Sequence, residues 1–552
     1  MLSATELTLG ELSRAERDAH HFPLKSALPR PIQLERLQRS FALALKQDRD
    51  VGWVVGAAAL RLILVSGRPL NEIHAIKRAP KLSALRPNCQ PDWPRPALVE
   101  LDGHSPALWL EAGRSPHQSN VTPKLDHVGR SSKGVWLGLD PTTVALVQSL
   151  IGPEPLVTAD KDPAKWPHLF AATTCEELAA AIEEFRKQAS TRLGVGSGAA
   201  IPKITQCRYF LPTRLTACFP ADPAVACLVT NTPPKRNATK SYYSSLSLAD
   251  AQRYQHTAIS ALPAMPAAFS PAPGASMQPP QALRAHVIGS PYCPTEAALK
   301  ELGNALRSAA AIGRGRLDRN RALKVDHAFT AYCWLFFSLH TGWRTPRKKL
   351  LPTVADIDWD TGALLIEDKN IGSAKSARRQ GSVILDDFDA ELDAEDQVRP
   401  SSTRERKMVG GSAPSRRRWL PLSDRVLRQL QNYYEHTRVR ALMQRRQRAK
   451  TWFTPLTDRA ALEAYLQGLP RLHWQLPPNF NRHYLRSALI GRLSADAIDA
   501  YLGHWETGSE PWWNGSCLDP LAYKARTQDA IAQLFPAADW PVIEGFHAAP
   551  DA

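Results

Sequence analysis

The sequence predicts a mainly α-helical protein with small β-sheets, an α+β class, built from more than one domain. Its length of 552 residues fits two to four domains. Residues 98–138 alternate apolar and polar side chains between glycines and prolines, which is typical of strands and turns. Towards the C-terminus, apolar residues recur at helical spacing; they are Leu485, Leu489, Leu493, Ile498 and Leu502.

A Pro/Ala-rich stretch at 261–280, ALPAMPAAFSPAPGASMQPP, carries almost no charge and gives the clearest domain boundary. We therefore predict an N-terminal region at 1–260, a linker at 261–290 and a C-terminal domain at 291–552. A segment that is first acidic, then basic and then Gly/Ser-rich predicts an insertion in the C-terminal domain near 380–415.

The chain is basic, with 69 Lys and Arg against 53 Asp and Glu, a net charge of +16 and a pI near 9.5. This balance favours a polyanionic partner such as nucleic acid. The basic residues cluster at 313–324, 403–407, 416–419 and 438–450. The eight cysteines form no CxxC pair, and no signal pattern or membrane-length apolar run is evident. We expect a cytoplasmic protein without a membrane partner.

Three short motifs near the C-terminus carry the chemistry. His483 and Arg486 stand three apart and share one face of a predicted helix, where both can address one anion. A Leu-Gly-His sequence ends at His504, and Tyr523 follows with a hydroxyl that can serve as a nucleophile. This set resembles the C-terminal box of the tyrosine recombinases, the phage-integrase family.

The resemblance extends upstream and covers about residues 290–540. At 328–370 an apolar stretch ends in Thr-Gly-x-Arg at Arg344 and continues through "DID" to a predicted hairpin that carries Lys369. The segment 418–434 resembles the strand and helix that follow this hairpin in the family. The resemblance implies the tyrosine-recombinase catalytic fold in the C-terminal half.

The resemblance also implies a catalytic set without metal or nucleotide cofactor, consisting of Arg344, Lys369, His483, Arg486, His504 and Tyr523. The two arginines would bind the non-bridging phosphate oxygens, for which a permanently charged guanidinium is suited. The histidine of the first motif would take the tyrosine proton, and that of the second would hydrogen-bond the scissile phosphate. The lysine would protonate the leaving 5′ oxygen.

Alternatives remain at two of these positions. Lys375 competes with Lys369 as the acid. Tyr484 and Tyr501 are rival nucleophiles, but both fall within the apolar spacing of their helices and are predicted to be core residues. Tyr523 itself has an alternative interpretation as a core aromatic residue of the last helix.

The sequence departs from the family pattern in two places. The separation between His504 and Tyr523 is 19 positions, longer than in most members, and the intervening stretch contains Trp512, Trp513 and Gly515. The acidic residue that usually follows the first arginine by three positions is Arg347 here.

The N-terminal half contains a weak internal repeat. Residues 207–231 align without a gap on 481–505, which puts Tyr209, Pro212 and Thr230 at the positions of His483, Arg486 and His504. Two earlier segments, 51–76 and 134–150, resemble the Thr-Gly-x-Arg region and the 418–434 segment, with Arg68 near the position of Arg344. The repeat predicts a degenerate, catalytically inactive copy; the alternative is an unrelated helical DNA-binding domain.

The resemblance implies a site-specific recombinase or integrase of a mobile element. Such an enzyme cleaves and rejoins double-stranded DNA through a 3′-phosphotyrosyl intermediate, as a homo-tetramer and with element-encoded accessory proteins in some systems. The expected location is the cytoplasm, in association with the nucleoid. The alternatives are a type IB topoisomerase-like enzyme that relaxes DNA, and a non-catalytic DNA-binding accessory protein that retains the fold.

Overall fold

The computed structural model describes residues 29–46, 51–81, 95–100, 106–113, 128–160, 162–171, 173–194, 201–217, 221–232, 238–263, 286–311, 319–343, 354–367, 417–443, 456, 459–469, 477, 479–504, 518–535 and 539–546. Within these residues the protein is mainly helical and has small β-sheets, which confirms the predicted α+β class. The chain forms two compact units. The first comprises Met1–Gln118 and Arg130–Pro291, and the second comprises Ser119–Gly129 and Tyr292–Ala552.

The first unit combines helices with two sheets. Its helices are α1 (Pro31–Lys46), α2 (Val51–Ser66), α3 (Leu70–His74), α4 (Pro141–Ile151), α5 (Cys175–Arg192), α6 (Ile204–Ala217), α7 (Pro223–Thr230), α8 (Ala238–Tyr243) and α9 (Leu248–Ser260). Its strands are β1 (Lys77–Arg78), β2 (Ala97–Val99), β3 (Ala107–Glu111), β4 (Arg130–Ser131), β5 (Gly134–Gly138), β6 (Ser245–Ser247) and β7 (His286–Gly289). The strand orders are β1-β2-β3-β5 and β4-β7-β6, and the pairs β1–β2 and β4–β7 are parallel.

The second unit is built around one long helix. Its helices are α10 (Glu296–Ala310), α11 (Arg319–Thr341), α12 (Asp424–Met443), α13 (Arg459–Gln467), α14 (Phe480–Leu489), α15 (Ala495–Leu502) and α16 (Pro520–Leu534). The strands β8 (Ile357–Asp358), β9 (Ala363–Glu367) and β10 (Arg417–Pro421) form an antiparallel sheet in the order β10-β9-β8. Helix α11 is buried along its C-terminal half because α10, α12 and α14 all pack against it.

The two units repeat an order of elements and of contacts. In the first unit, α1 packs on α2, which contacts α4 and α6; α6 packs on α7, and α9 packs on β5. In the second, α10 packs on α11, which contacts α12 and α14; α14 packs on α15, and α16 packs on β10. The sequence segments predicted to be related fall on corresponding elements of these two series.

In both units, the glycine that follows a buried helix lies close to two later helices. Gly67 (φ 68°) directly follows the last residue of helix α2, and Gly342 (φ 59°) directly follows the last residue of helix α11. A methyl group built on Gly67 would lie 3.0 Å from Pro212 and 3.1 Å from Thr230, on α6 and α7. These two residues occupy the aligned positions of Arg486 and His504. In both units, therefore, a left-handed glycine brings the end of a buried helix against the same pair of later helices.

Most of the predicted element types match the structure, and two details differ. The final residues of the linker predicted at 261–290 form strand β7, in which His286 and Ile288 are buried. The apolar run from Leu485 to Leu502 is divided between α14 and α15 by a turn that contains Gly491 (φ 77°). The insertion predicted near 380–415 lies outside the described residues. Among the described helices, none combines the length and apolar composition needed to cross a bilayer.

A buried histidine makes the stability of the second unit sensitive to acid. His340, in the last turn of α11, donates from Nδ1 to the carbonyl of Phe336 at 2.6 Å, and its ring packs on Phe336 and Phe535. Burial lowers the pKa of His340 from 6.5 to about 3, and the nearby Arg425 lowers it as well.

We expect this group to cost stability as the pH falls from 6.5 to about 3. In that window the unfolded chain binds a proton that the folded chain excludes, so His340 lowers the free energy of unfolding by about 1.4 kcal/mol per pH unit. Urea unfolding between pH 7 and pH 4 measures this slope, and a His340→Gln variant should show a shallower one. Equal slopes for the two proteins would contradict the assignment.

Candidate functional site

Two buried helices end next to each other and lead to predicted site residues. At the end of α11, Thr341 Oγ1 donates to the carbonyl of Phe337 at 2.8 Å and accepts from the Trp343 amide at 3.2 Å. Gly342 adopts a positive φ of 59°, which glycine allows without steric cost, and Trp343 is buried. The next residue in sequence is the predicted Arg344, which lies outside the described residues.

Helix α15 is bounded by a hydroxyl cap and a left-handed glycine. Ser494 accepts from the amide of Ala497 at 3.3 Å and begins the helix, and Gly503 (φ 71°) ends it. His504 follows directly, and its amide donates to the carbonyl of Asp499 at 2.9 Å. The Leu-Gly-His motif is thus the C-terminal cap of a helix, and the cap fixes where the His504 backbone lies. The His504 residue is 6% exposed.

Two fully buried guanidinium groups join these helix ends. Arg418, on β10, donates to the carbonyls of Thr341 and Gly342, each at 3.3 Å, and to that of Tyr501. Arg482, on α14, donates to the carbonyls of Gly342 at 3.0 Å and of Leu502. The last carbonyls of a helix have no partner within the helix and carry the negative end of its dipole. A cation at this point satisfies those carbonyls and is itself stabilised by them.

The close approach at Gly342 leaves no room for a side chain. A methyl group there would lie 2.5 Å from Leu502 Cδ2 and 3.0 Å from Leu485 Cδ2, on α15 and α14. The left-handed backbone favours glycine, and an added methyl group would force the buried Leu502 side chain to shift.

We expect Gly342→Ala to lower the free energy of unfolding by about 2–5 kcal/mol, because the left-handed conformation costs about 1–2 kcal/mol for alanine and overpacking adds about 1–3 kcal/mol. Gly194→Ala is the matched control. Gly194 follows the C-cap of α5 with a similar φ of 64°, but no atom lies within 4 Å of the added methyl group, so only the conformational cost of about 1–2 kcal/mol should remain. Thermal unfolding of both variants measures the difference; equal losses would contradict the close packing at Gly342.

Helix α14 carries the His-x-x-Arg pair into the same region. His483 and Arg486 are both fully buried on this helix, and the His483 ring lies 5.4 Å from the ring of Tyr292. The neighbouring Asn481 donates from Nδ2 to the carbonyl of Trp343 at 2.6 Å and of Ser338 at 3.2 Å. The Asn481 side chain thus connects the start of α14 to the end of α11 by hydrogen bonds.

Tyr523 lies in the first turn of α16. Asp519 caps this helix by accepting from the amides of Leu521 and Ala522, and Pro520 occupies its first position. The Tyr523 side chain is 2% exposed and belongs to the core of the second unit. Burial raises the pKa of its phenol well above 10, the phenol of Tyr501 raises it further, and Arg418 opposes the shift.

Some predicted site residues lie on helices that meet, and others fall outside the described residues. His504 and the helix that carries His483 and Arg486 converge on the end of α11. Arg344, Arg347, Lys369 and Lys375 lie outside the described residues, as do Trp512, Trp513 and Gly515.

The three candidate tyrosines are all core residues. Tyr484 and Tyr501 are buried as predicted, and the Tyr501 hydroxyl donates to the carbonyl of His340 at 2.7 Å. Tyr523 is buried to a similar extent, so its position in this structure fits the alternative interpretation as a core aromatic residue. Burial alone therefore does not distinguish Tyr523 from its rivals.

The sequence does not predict which arginines connect the helix ends, and some of its basic residues are paired within the protein. Arg482 directly precedes His483 and belongs to none of the predicted motifs, and Arg418 lies in the basic cluster at 416–419. Arg418 is fully buried and donates to backbone carbonyls, so its charge is used inside the protein. An arginine at an inward position of a strand that also holds Leu420 was the available signal.

Part of the 438–450 cluster is also paired within the protein. Arg440 donates to Asp326 at 2.9 Å, and Arg438 forms a hydrogen-bonded ion pair with Glu435. Asp326 additionally accepts from His436 at 2.8 Å, and the pKa of its carboxyl group is lowered by that hydrogen bond and by Arg440 despite its burial. These pairs offset some of the positive charge of the 438–450 cluster.

Compared with protein-family models, with curated proteins and with solved structures, the chain matches none.

Proposed function

We propose that the chain is a tyrosine-type DNA strand transferase, a site-specific recombinase or integrase of a mobile element. The supporting observation is the convergence at the end of α11. There the Thr-Gly motif, the His-x-x-Arg helix and the Leu-Gly-His cap, which are far apart in sequence, are joined by the hydrogen bonds of Arg482. The order of short motifs along the sequence is weak support by itself, and motifs whose helices meet at one point give stronger support.

The proposed reaction follows from the side chains. The Tyr523 oxygen attacks a DNA phosphorus atom while the bond to the 5′ oxygen breaks, which leaves a 3′-phosphotyrosyl link and a free 5′-hydroxyl. His483 takes the phenol proton, and Lys369 protonates the leaving oxygen, with Lys375 as the alternative. Arg344, Arg486 and His504 stabilise the charge on the non-bridging oxygens. A 5′-hydroxyl of a second strand reverses the step, so that bond energy is conserved and no metal or nucleotide is consumed.

The burial of Tyr523 adds a conformational step to this proposal. Desolvation opposes ionisation of the phenol, and the pKa of Tyr523 is accordingly raised in this structure. We infer that the first turn of α16 moves when DNA binds, which exposes the hydroxyl to the histidine and the cationic groups.

The first unit fits this proposal as a degenerate copy of the second. The matching order of elements supports a duplication, and at the aligned positions of Arg486 and His504 the first unit has Pro212 and Thr230. Neither side chain can provide a cationic group to a phosphate. Arg68, near the aligned position of Arg344, is fully buried and donates to the carbonyls of Glu111 and Val229. We propose that this unit contributes to DNA binding and not to chemistry.

The partners follow from the same function. Double-stranded DNA is the substrate, four copies of the chain would assemble around two duplexes, and accessory proteins of the element would direct the outcome. The proposed location is the cytoplasm, with the protein bound to the nucleoid.

A covalent trap tests the class of activity. The purified chain would be incubated with nicked duplexes from the DNA that flanks its gene, and the products separated on a denaturing gel. The proposal predicts a protein–DNA adduct and, with a second duplex, exchanged strands. Relaxation of supercoiled DNA without exchange would instead identify a topoisomerase-like enzyme.

The burial of Tyr523 favours a second candidate function, that of a DNA-binding accessory protein without catalysis. This alternative predicts salt-dependent DNA binding with no adduct on any flanking duplex. The same gels, run beside a binding assay at two salt concentrations, separate it from the enzyme.

A further inference from the structure

One buried guanidinium contacts the imidazole of His504. Arg482 Nη2 lies 2.8 Å from His504 Nε2, and the same nitrogen donates to the carbonyl of Leu502. Its other terminal nitrogen, Nη1, donates to the carbonyl of Gly342 at 3.0 Å. Arg482 is fully buried, so these protein acceptors, and not solvent, fix its position.

This contact determines the protonation of the ring. A guanidinium has donors and no acceptor, so the hydrogen bond requires a lone pair on His504 Nε2. An imidazole with a lone pair on Nε2 is neutral and carries its proton on Nδ1. The other neutral tautomer and the imidazolium would both set an N–H group of the ring against an N–H group of the arginine.

We propose that Arg482 is a positioning residue that holds His504 as the neutral Nδ1–H tautomer, so that Nδ1–H is the donor presented to the scissile phosphate. The assignment of the tautomer rests on the contact alone. The role towards a phosphate rests on the proposed function.

Arg482 and Arg418 bind carbonyls at the same helix ends but differ in one contact, which is the contact of Arg482 with His504. Both groups satisfy carbonyls at the ends of α11 and α15, a structural task that Arg418 performs through Thr341, Gly342 and Tyr501. Arg482 performs a similar task and in addition contacts the ring. Arg418 is therefore a matched control, because its loss disturbs the same helix ends without removing the Arg482–His504 contact.

Nuclear magnetic resonance of the full chain tests the proposal without DNA. In protein labelled with ¹⁵N-histidine, the long-range couplings of ring protons distinguish the two neutral tautomers and the imidazolium. The His504 signals would be assigned by their loss in His504→Gln. We expect the wild-type ring to be neutral and protonated on Nδ1 at pH 7. An Nε2–H tautomer or an imidazolium would overturn the proposal, and this measurement needs no variant of Arg482.

Two variants then separate positioning from general stability. In Arg482→Met the Nδ1–H preference should be lost, whereas in Arg418→Met it should remain, both measured at a temperature where circular dichroism shows folded protein. An unchanged tautomer in folded Arg482→Met, or the same change in both variants, would overturn the proposal.

Strand cleavage provides the functional readout. Partners that orient metal-bound histidines are worth about 10- to 100-fold. We expect a loss of similar size for the orientation of His504, so Arg482→Met should cleave nicked DNA more slowly than Arg418→Met, by about tenfold or more, under conditions where both are folded. Equal cleavage rates would overturn the positioning role. The predicted tautomer in a wild-type protein that forms no adduct would retain the Arg482 assignment and reject the proposed function, so the two failures are distinguishable.

Discussion

Replacing Arg418 by methionine is expected to lower the free energy of opening of helices α11 and α15 by about 2–6 kcal/mol, because two buried carbonyls lose a donor and each unsatisfied buried group costs about 1–3 kcal/mol. The carbonyls of Thr341 and Tyr501 would lose a donor inside the core, and Gly342 would keep only its bond from Arg482. Methionine restores much of the volume, so the loss reports the hydrogen bonds more than a cavity.

Amide hydrogen exchange of α11 and α15 measures this loss as a lower free energy of opening. Arg438→Met is the control. Its guanidinium is half exposed and pairs with Glu435 on the same helix, so the change should stay within about 0.5 kcal/mol. Similar protection in the Arg418→Met variant and the wild type would contradict the role assigned to Arg418.

Several helices and strands of this fold could be predicted from short sequence segments. The likeness of 51–76 to the Thr-Gly-x-Arg region has a local cause, because Gly67 and Gly342 both adopt the positive φ that glycine allows. The strand and helix that the resemblance implied at 418–434 are observed as β10 (Arg417–Pro421) and α12 (Asp424–Met443), in which Leu420 and Leu430 are buried. The segments 207–231 and 481–505, which align without a gap, each form two consecutive helices. These are α6 and α7 in the first unit and α14 and α15 in the second.

Properties that depend on distant contacts were not predictable. An arginine in a basic run is usually at the surface, and only the meeting of β10 with the ends of two helices buries Arg418. The burial of Tyr523 similarly depends on how α16 packs against α14 and β10. The hydrogen bond between Arg482 and His504 joins residues on two helices, and no spacing rule indicates which ring nitrogen accepts it.

The chemistry proposed here depends on one hydroxyl. Tyr523 should be the residue that becomes linked to DNA, and removal of its oxygen by Tyr523→Phe should abolish the adduct completely. The fold should persist, because phenylalanine keeps the buried ring and loses only a hydroxyl, a change of about 1 kcal/mol. Tyr501→Phe is the matched control; it also removes a buried hydroxyl of the same core, one that donates to the carbonyl of His340, and it should still form the adduct.

The most direct test is to map the covalent link. Wild-type protein would be trapped on nicked duplexes from the DNA flanking its gene, digested, and the nucleotide-bearing peptide identified by mass spectrometry. The account predicts a 3′-phosphotyrosine at Tyr523 in the wild type and in Tyr501→Phe, and no link in Tyr523→Phe. A link at Tyr501 or Tyr484, or an adduct that persists in Tyr523→Phe, would contradict it.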